Sequence, residues 1–319
     1  MKVIVLNRVL KEKHVAQIKE AIERIGAEVC FTESEEAIPE DFKDAEVLFG
    51  FGTKTAAQSK TLKWLSVPSA GVDYLMKPGS FANEDCMLTN ASGAYGVTIA
   101  EHIIAVTLMM MRKLDYIYSN SSNGIWIKPQ PQKSLKDCRI TVLGTGDIGT
   151  AFANRARAFE PVCITGVNRS GKSVETVYDV IKPISELNDV LPQTDLLVMS
   201  LPATKETENI MSCERINMLA DGAYMVNVGR GSAIDEDALA EALENGRLAG
   251  AALDVFKIEP LPEESRLWST KNLLITPHVA GNQTLAYTLD TIVNLFCDNL
   301  VRYAEGKTLK NLIDKNKGY

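Results

Sequence analysis

The stretch Arg139-Ile-Thr-Val-Leu-Gly-Thr-Gly-Asp-Ile-Gly149 decides the fold. Ile140 to Leu143 mixes branched and apolar residues in a short run and reads as a buried strand. Gly-x-Gly-x-x-Gly follows, and then Thr150-Ala-Phe-Ala-Asn-Arg-Ala-Arg-Ala-Phe159, a helical pattern with small residues facing inward. A strand, a glycine turn and a helix form the setting in which this fingerprint binds dinucleotides. Gly144 lets the chain turn sharply, Gly146 lets backbone approach a pyrophosphate, and Gly149 lets helix and strand pack closely. The phosphates then meet unpaired N–H groups at a helix N-terminus, where the macrodipole favours negative charge. Thr145, Asp147 and Ile148 fill the variable positions and join the candidate cofactor contacts. The competing reading of the same glycines is a plain tight turn.

Around this centre the chain is 319 residues long, more than one average domain, so two domains are expected. An apolar share of 45% and a charged share of 24% are ordinary for a soluble globular protein. The net charge of −7, without a basic run, argues against nucleic acid or an anionic membrane as partner. Met1-Lys-Val-Ile-Val-Leu6 opens on a strand pattern with no signal-like segment, and the apolar run Ile103 to Met111 is too short to span a bilayer. A cytoplasmic location is the expectation. Six scattered cysteines form no Cys-x-x-Cys or metal-like cluster. They read as small buried hydrophobes in a reducing compartment, and no metal is expected.

Residues 1–90 alternate strand and helix signals: strands at Val3–Leu6, Glu28–Phe31, Val47–Gly52 and Leu62–Val67, with an amphipathic helix from His14 to Ile25 closed by Gly26. This predicts a small α/β domain with a parallel sheet. Its last strand runs into Ser69-Ala-Gly-Val-Asp73, at the sheet edge where ligands bind in such folds. A substrate contact at Ala70, Gly71 and Val72 and an ordinary turn are both open readings. A long helix is predicted from Thr98, with Thr98 and Glu101 as a capping box, placed to connect two domains. Residues 120–136 read as an irregular polar arm whose Trp126 is either a subunit contact or tucked against its own chain. Beyond the fingerprint, strand patterns end successively at Val167, Leu201, Val228, Leu253 and Thr276, each followed by a polar or glycine-rich loop. A doubly wound sheet with a site along one edge has this rhythm. Gln283 to Tyr303 reads as a helix, and Leu309 to Ile313 as a return to the first domain.

Position 168 bears on the cofactor. An NAD site places an acid about 20 residues past the fingerprint to hold the ribose 2′-OH, whereas a 2′-phosphate needs positive charge. This chain has Asn168-Arg169-Ser170 and Lys172. We favour NADP(H), gripped by the Arg169 fork, over NAD(H) with Arg169 stacked on adenine. Among three histidines, His14 reads as solvated on a charged helix face and His102 as structural. His278 follows a strand and a proline at the ligand edge, where general acid–base work and a capping role are both open. Arg230 stands between two glycines, suited to a bidentate carboxylate or to a neighbouring acid. Glu259, before Pro260, is either solvated or paired with His278, where it would favour the protonated imidazole and fix its tautomer.

Gly144-x-Gly146-x-x-Gly149, Asn227-Val-Gly-Arg230-Gly-Ser, Leu253-Asp254-Val-Phe with Glu259-Pro260-Leu-Pro, and Thr276-Pro-His278-Val-Ala-Gly281 together resemble the D-isomer-specific 2-hydroxyacid dehydrogenases. Ala70-Gly71-Val72-Asp73 and Ala100-Glu101-His102 extend the resemblance over nearly the whole chain. It implies two Rossmann-like domains with doubly wound parallel sheets and a cleft between them. Residues 1–97 with 283–319 would form a flavodoxin-like substrate domain, and 98–282 the dinucleotide-binding domain. It also implies a homodimer. Arg230 would bind the substrate carboxylate and polarise the 2-keto group, His278 would exchange a proton with the carbonyl oxygen, and Glu259 would keep that histidine protonated. The backbone of Ala70 to Val72 would hold the carboxylate, and Asp254 would meet the nicotinamide carboxamide. Thr98, Leu201, Pro202, Thr207, Val228, Gly229 and Gly281 would line the cofactor groove. The reaction so implied is reduction of a small 2-keto acid to a D-2-hydroxy acid, where a cation and an acid answer the alkoxide that hydride addition creates. A nucleotide-sensing corepressor of the same fold is the competing class; such proteins are typically longer. Glyoxylate, hydroxypyruvate, pyruvate and branched keto acids all suit the carboxylate clamp.

Overall fold

Short apolar strands with a right-handed helix after each must bury both faces of a sheet, and in a computed structural model the chain does so twice. The structure describes residues 1–319 except Asn7, Val174, Asn316 and Tyr319. Two compact units emerge, one from residues 1–95 and 282–319, the other from 96–281.

In the first unit β1 (Lys2–Leu6) leads to α1 (Glu12–Arg24), β2 (Glu28–Thr32), β3 (Val47–Phe49), α2 (Thr53–Gln58), β4 (Trp64–Ser66) and β5 (Met87–Thr89). All pairs are parallel, in the order β2-β1-β3-β4-β5. This is the flavodoxin-like order, whose switch point lies between β1 and β3. Gly26, at φ +62, ends α1 where a side chain would be strained. β5 is an addition to the sequence reading: its three residues are too few to show a period. His14 corrects another expectation. It is 1% exposed, not solvated; its Nδ1 accepts the Lys11 N–H at 3.1 Å and its Nε2 meets Asp290 at 2.7 Å. The helical face that looked charged packs on the chain's last helix.

In the second unit α3 (Gly96–Met111) and α4 (Leu114–Ser121) precede β6 (Arg139–Leu143), α5 (Asp147–Ala156), β7 (Cys163–Asn168) and β8 (Val180–Pro183). Then come α6 (Leu187–Val190), β9 (Leu196–Met199), α7 (Cys213–Met218), β10 (Ala223–Asn227), α8 (Glu236–Glu244), β11 (Leu248–Leu253) and β12 (Leu273–Ile275). The parallel order is β12-β11-β10-β9-β6-β7-β8, with its reversal between β6 and β9. The edge strand β8 carries little alternation and was not legible in the sequence. Thr98 is not a cap: α3 starts at Gly96, and Thr98 is buried inside it at 8% exposure. The start is set by packing, because a Cβ on Gly96 would overlap the Asp147 carboxylate at the head of α5. Trp126 is 99% exposed, which removes the tucked alternative. Among the described residues no helix is long and apolar enough to cross a membrane, and no cluster of metal-ligating side chains occurs.

The last helix, α9 (Ala286–Ala304), packs in the first unit. Phe296 stacks on Phe49 at 4.3 Å, while Trp64, whose Nε1 donates to Thr89 Oγ1 at 2.9 Å, lies 5.6 Å from the same ring. The tail then returns: the Ile313 N–H donates to the Leu88 carbonyl at 2.9 Å. Cys86, Cys138 and Cys297 are buried, and burial pushes their thiols up to about 11, 11 and 12, so they stay protonated and inert. Cys213 is exposed, against the expectation of uniform burial.

Candidate active site

The fingerprint glycines have the geometry their spacing demands. Gly144 leaves β6 at φ +103, and a Cβ on it would come 3.1 Å from the Ser200 carbonyl at the end of β9. Ser200 Oγ donates to the Gly144 carbonyl at 3.1 Å, tying the two loops at the switch point. A Cβ on Gly149 would overlap the Gly144 carbonyl oxygen, so helix and strand are in backbone contact there. Gly146, which caps α5, has nothing within 4 Å of where its Cβ would be. The open space belongs to a depression of about 440 Å³ lined by Thr145, Gly146, Asp147, Thr150, Ala151, Asn154 and Glu175. Room at the start of a helix fits a pyrophosphate. Ile148 is half-buried in the first turn.

At the end of β7, Asn168 builds the next loop. Its Oδ1 accepts the N–H groups of Ser170 at 3.0 Å and Gly171 at 2.8 Å, while its Nδ2 donates to Thr145 Oγ1 and to the Lys172 carbonyl, both at 2.8 Å. The loop therefore closes around an asparagine where an acid would repel a 2′-phosphate. Arg169 is exposed beside it. The carboxyl of Glu206 is held below its usual range by its own backbone N–H, by the Thr204 hydroxyl and, more weakly, by Lys205 and Arg169. The loops after β7 and β9 thus face each other. Leu201 is buried at the start of the second, and Thr207 braces it, donating to the Pro202 carbonyl at 2.7 Å and accepting the Thr204 N–H at 2.9 Å.

Three neighbouring strands, β10, β11 and β12, deliver the remaining side chains to one sheet edge. Their spacing of about 4.8 Å puts the ends of β10 and β12 roughly 10 Å apart. After β10, Asn227 folds back: its Oδ1 accepts the Gly229 N–H at 3.0 Å and its Nδ2 donates to the Arg230 carbonyl at 2.9 Å. Val228 is buried, and a Cβ on Gly229 would come 2.6 Å from the Leu201 carbonyl oxygen. A Cβ on Gly231 would overlap the Phe256 carbonyl carbon. The loop carrying Arg230 is therefore pressed onto the loop after β11. Its guanidinium donates to the Gly229 carbonyl at 2.8 Å and is partly exposed.

Asp254 ends β11 and is 3% exposed. Its Oδ1 accepts the Thr276 hydroxyl at 2.6 Å and the Val279 N–H at 3.0 Å, and its Oδ2 accepts the Ala280 N–H at 3.0 Å. The Asp254 carbonyl accepts the His278 N–H at 2.9 Å. These bonds hold the 276–280 loop from both sides and keep His278 at φ +53, a conformation uncommon outside glycine and asparagine. The geometry gives Asp254 the task of fixing that loop. Gly281 closes the loop as a turn. The His278 side chain is 52% exposed, and its Nδ1 lies 2.7 Å from Glu259 Oε2. Glu259 is itself fixed, its Oε1 accepting the Phe256 N–H at 2.9 Å. His102 stands behind, its Nε2 3.3 Å from Thr276 Oγ1. Burial holds His102 below the usual histidine range, with Asp254 opposing more weakly.

In the first unit the Ala70–Val72 loop is held by Asn90, whose Nδ2 donates to the Ala70 carbonyl at 2.6 Å, and by the Ser69 hydroxyl, which donates to the Gly71 carbonyl at 2.8 Å. Val72 points into the core, leaving backbone at Ala70 and Gly71 partly exposed. Sequence reasoning gave no task to Asn227, Thr276 or Ser200. For Asn227 and Thr276 the signal was a polar side chain at a strand's carboxyl end, two residues before the glycine or histidine that mattered.

Comparison with known proteins agrees with this geometry. Residues 104–280 match the family description "D-isomer specific 2-hydroxyacid dehydrogenase, NAD binding domain". Glyoxylate/hydroxypyruvate reductase A of Salmonella paratyphi C is 30% identical over 82% of this chain and 83% of its own. A crystal structure of a D-isomer specific 2-hydroxyacid dehydrogenase family protein from Aeromonas salmonicida superposes with a TM-score of 0.87 at 30% identity, covering 98% of this chain and 99% of that one. A D-isomer specific 2-hydroxyacid dehydrogenase from Xanthobacter autotrophicus, in complex with NADPH and MES, gives 0.82 at 27% identity over 100% and 99%. With fingerprint, arginine loop and Glu–His pair on one sheet edge, the chain belongs to the D-isomer specific 2-hydroxyacid dehydrogenases, NAD(P)-dependent enzymes that interconvert small 2-keto and D-2-hydroxy acids.

Proposed function

We propose that this protein is an NADP(H)-dependent reductase of small 2-keto acids in which Arg230, Glu259 and His278 act together. The observation that carries the reading is the 2.7 Å contact between His278 Nδ1 and Glu259 Oε2 on loops fixed by Asp254. The Glu259 carboxylate on Nδ1 fixes the ring and its tautomer, leaving Nε2 for proton exchange with the substrate. The cofactor, when bound, supplies the hydride. His278 then passes its Nε2 proton to the substrate's carbonyl oxygen as negative charge develops there, and takes it back in the oxidative direction. Arg230 pairs with the substrate carboxylate through its planar fork and stabilises the same developing charge. The backbone of Ala70 and Gly71 holds the carboxylate from the flavodoxin-like unit, which makes residues 1–97 and 283–319 the substrate domain and 98–282 the cofactor domain. Arg169 takes the 2′-phosphate, a reading supported by the NADPH bound to the Xanthobacter relative and by the absence of an acid at position 168. We further infer a cytoplasmic homodimer, with the exposed arm around Trp126 in the subunit contact.

Loss of nicotinamide absorbance with glyoxylate, hydroxypyruvate, pyruvate and branched keto acids, each with NADPH and NADH, tests the proposal. Turnover of at least one acid with preference for NADPH is expected. Tight cofactor binding without turnover of any acid would overturn it.

A further inference from the structure

The carboxyl edge of the first unit's sheet carries a cavity of about 410 Å³. It opens at the switch point, where the chain leaves β1 for β2 on one side and returns as β3 on the other. Leu6, Val9, Phe49, Phe51, Leu289 and Ile292 give it an apolar wall, and Arg8, Glu33, Glu35, Glu36 and Lys54 also line it. Val9 and Phe51 keep 40% and 46% of their surface exposed there, which a wall awaiting an apolar group explains. Several of the charged residues there have partners. Lys54 pairs with Glu36, the Glu35 carboxylate accepts the Thr55 N–H at 2.6 Å, and Arg8 Nε donates to the Glu33 carbonyl at 3.0 Å. The volume is within the range of small-molecule sites and exceeds that of about ten waters.

The cavity's lining comes within two residues of the Ala70–Val72 loop along the chain, at Pro68. Phe51 lines the cavity while its ring lies 6.4 Å from that of Tyr74, whose hydroxyl is 3.4 Å from Ser69 Oγ at the loop's start. Pro68, just before that serine, also lines it. We propose that this cavity receives the substrate's side chain, so that the preferred substrates are 2-keto acids with an apolar tail of four or more carbons, branched or aromatic. The proposal rests on the reading that the Ala70–Val72 backbone holds the substrate carboxylate. A carboxylate held there can direct a side chain past Phe51 into apolar surface, and each buried methylene favours binding by about fourfold. A two-carbon acid leaves that surface unused.

The test is kcat/KM with NADPH for glyoxylate, pyruvate, 4-methyl-2-oxopentanoate and phenylpyruvate, on the parent chain and on Val9→Trp. The longer acids are expected to exceed glyoxylate by at least about tenfold. Val9→Trp, which fills the cavity, is expected to lower the ratio of 4-methyl-2-oxopentanoate to glyoxylate by about tenfold or more. Because this ratio is taken within one preparation, partial misfolding cancels. Preference for glyoxylate or pyruvate, or a ratio within about twofold of the parent in the variant, overturns this proposal and leaves the reductase reading standing. Absence of turnover with every acid overturns both.

Discussion

In the proposed mechanism His278, whose Nδ1 lies 2.7 Å from a Glu259 carboxylate oxygen while half its side chain stays open to solvent, exchanges a proton with the substrate. Glu259→Gln keeps the shape and removes the charge. Its expected effect is a fall in kcat of about 10²- to 10⁴-fold at neutral pH. Initial rates at pH 7 check this, and an unchanged kcat would assign Glu259 to loop structure alone. Arg169 acts at the other end of the proposed cofactor site. Arg169→Asp places a negative charge where a 2′-phosphate would lie, so the ratio of kcat/KM for NADPH over NADH is expected to fall by about tenfold or more. If the ratio survives the swap, the phosphate is held elsewhere.

At the scale of the element, loops do the positioning, and they do so by backbone contact. Gly231 has no room for a Cβ against the Phe256 carbonyl. Gly231→Ala must therefore push apart the loops after β10 and β11, at a cost of about 1–3 kcal/mol of stability. Thermal melting measures the first effect, and a larger loss in kcat/KM than in cofactor affinity measures the displacement of Arg230. The α3 helix contributes His102 to the same layer, its Nε2 3.3 Å from Thr276 Oγ1, where burial favours the neutral ring. Burial lowers its protonation range in the folded chain below the unfolded one, so between the two the unfolded state binds more protons. Its contribution to stability is then complete above about pH 6.5 and is lost as pH falls below it. His102→Gln is expected to flatten the decline in Tm between pH 7.5 and 5, and an equal decline in both chains would remove His102 from the account.

For the whole molecule, the arm after α4 is the most conspicuous surface feature. An indole that is 99% exposed on a protein of net charge −7 has no folding reason to be there. Trp126→Asp is expected to shift the sedimentation of the proposed dimer toward monomer at micromolar concentration, with the far-UV circular dichroism of the chain retained. An unchanged sedimentation coefficient would place the subunit contact on another face. The cavity at the switch point of the first unit belongs to this scale as well, since its wall draws on β1 and β3 near the start of the chain and on α9 near its end.

The fold class and most of the proposed site were legible in the residues themselves. Glycines at 144, 146 and 149 are local backbone requirements. The repeated pattern of apolar run and polar loop was enough to put Arg230, Asp254 and His278 at strand ends, because such patterns are set by neighbours in sequence. Burial of His14 against Asp290, the start of α3 at Gly96, the edge strands β5 and β8 and the grip of Asp254 on the His278 loop were not legible. Each depends on a partner brought near only by folding: α9 for His14, α5 for Gly96, an adjacent strand for each edge. A sequence states which groups are available; which of them are buried, and which carbonyl lies where a Cβ would go, is decided when distant segments meet.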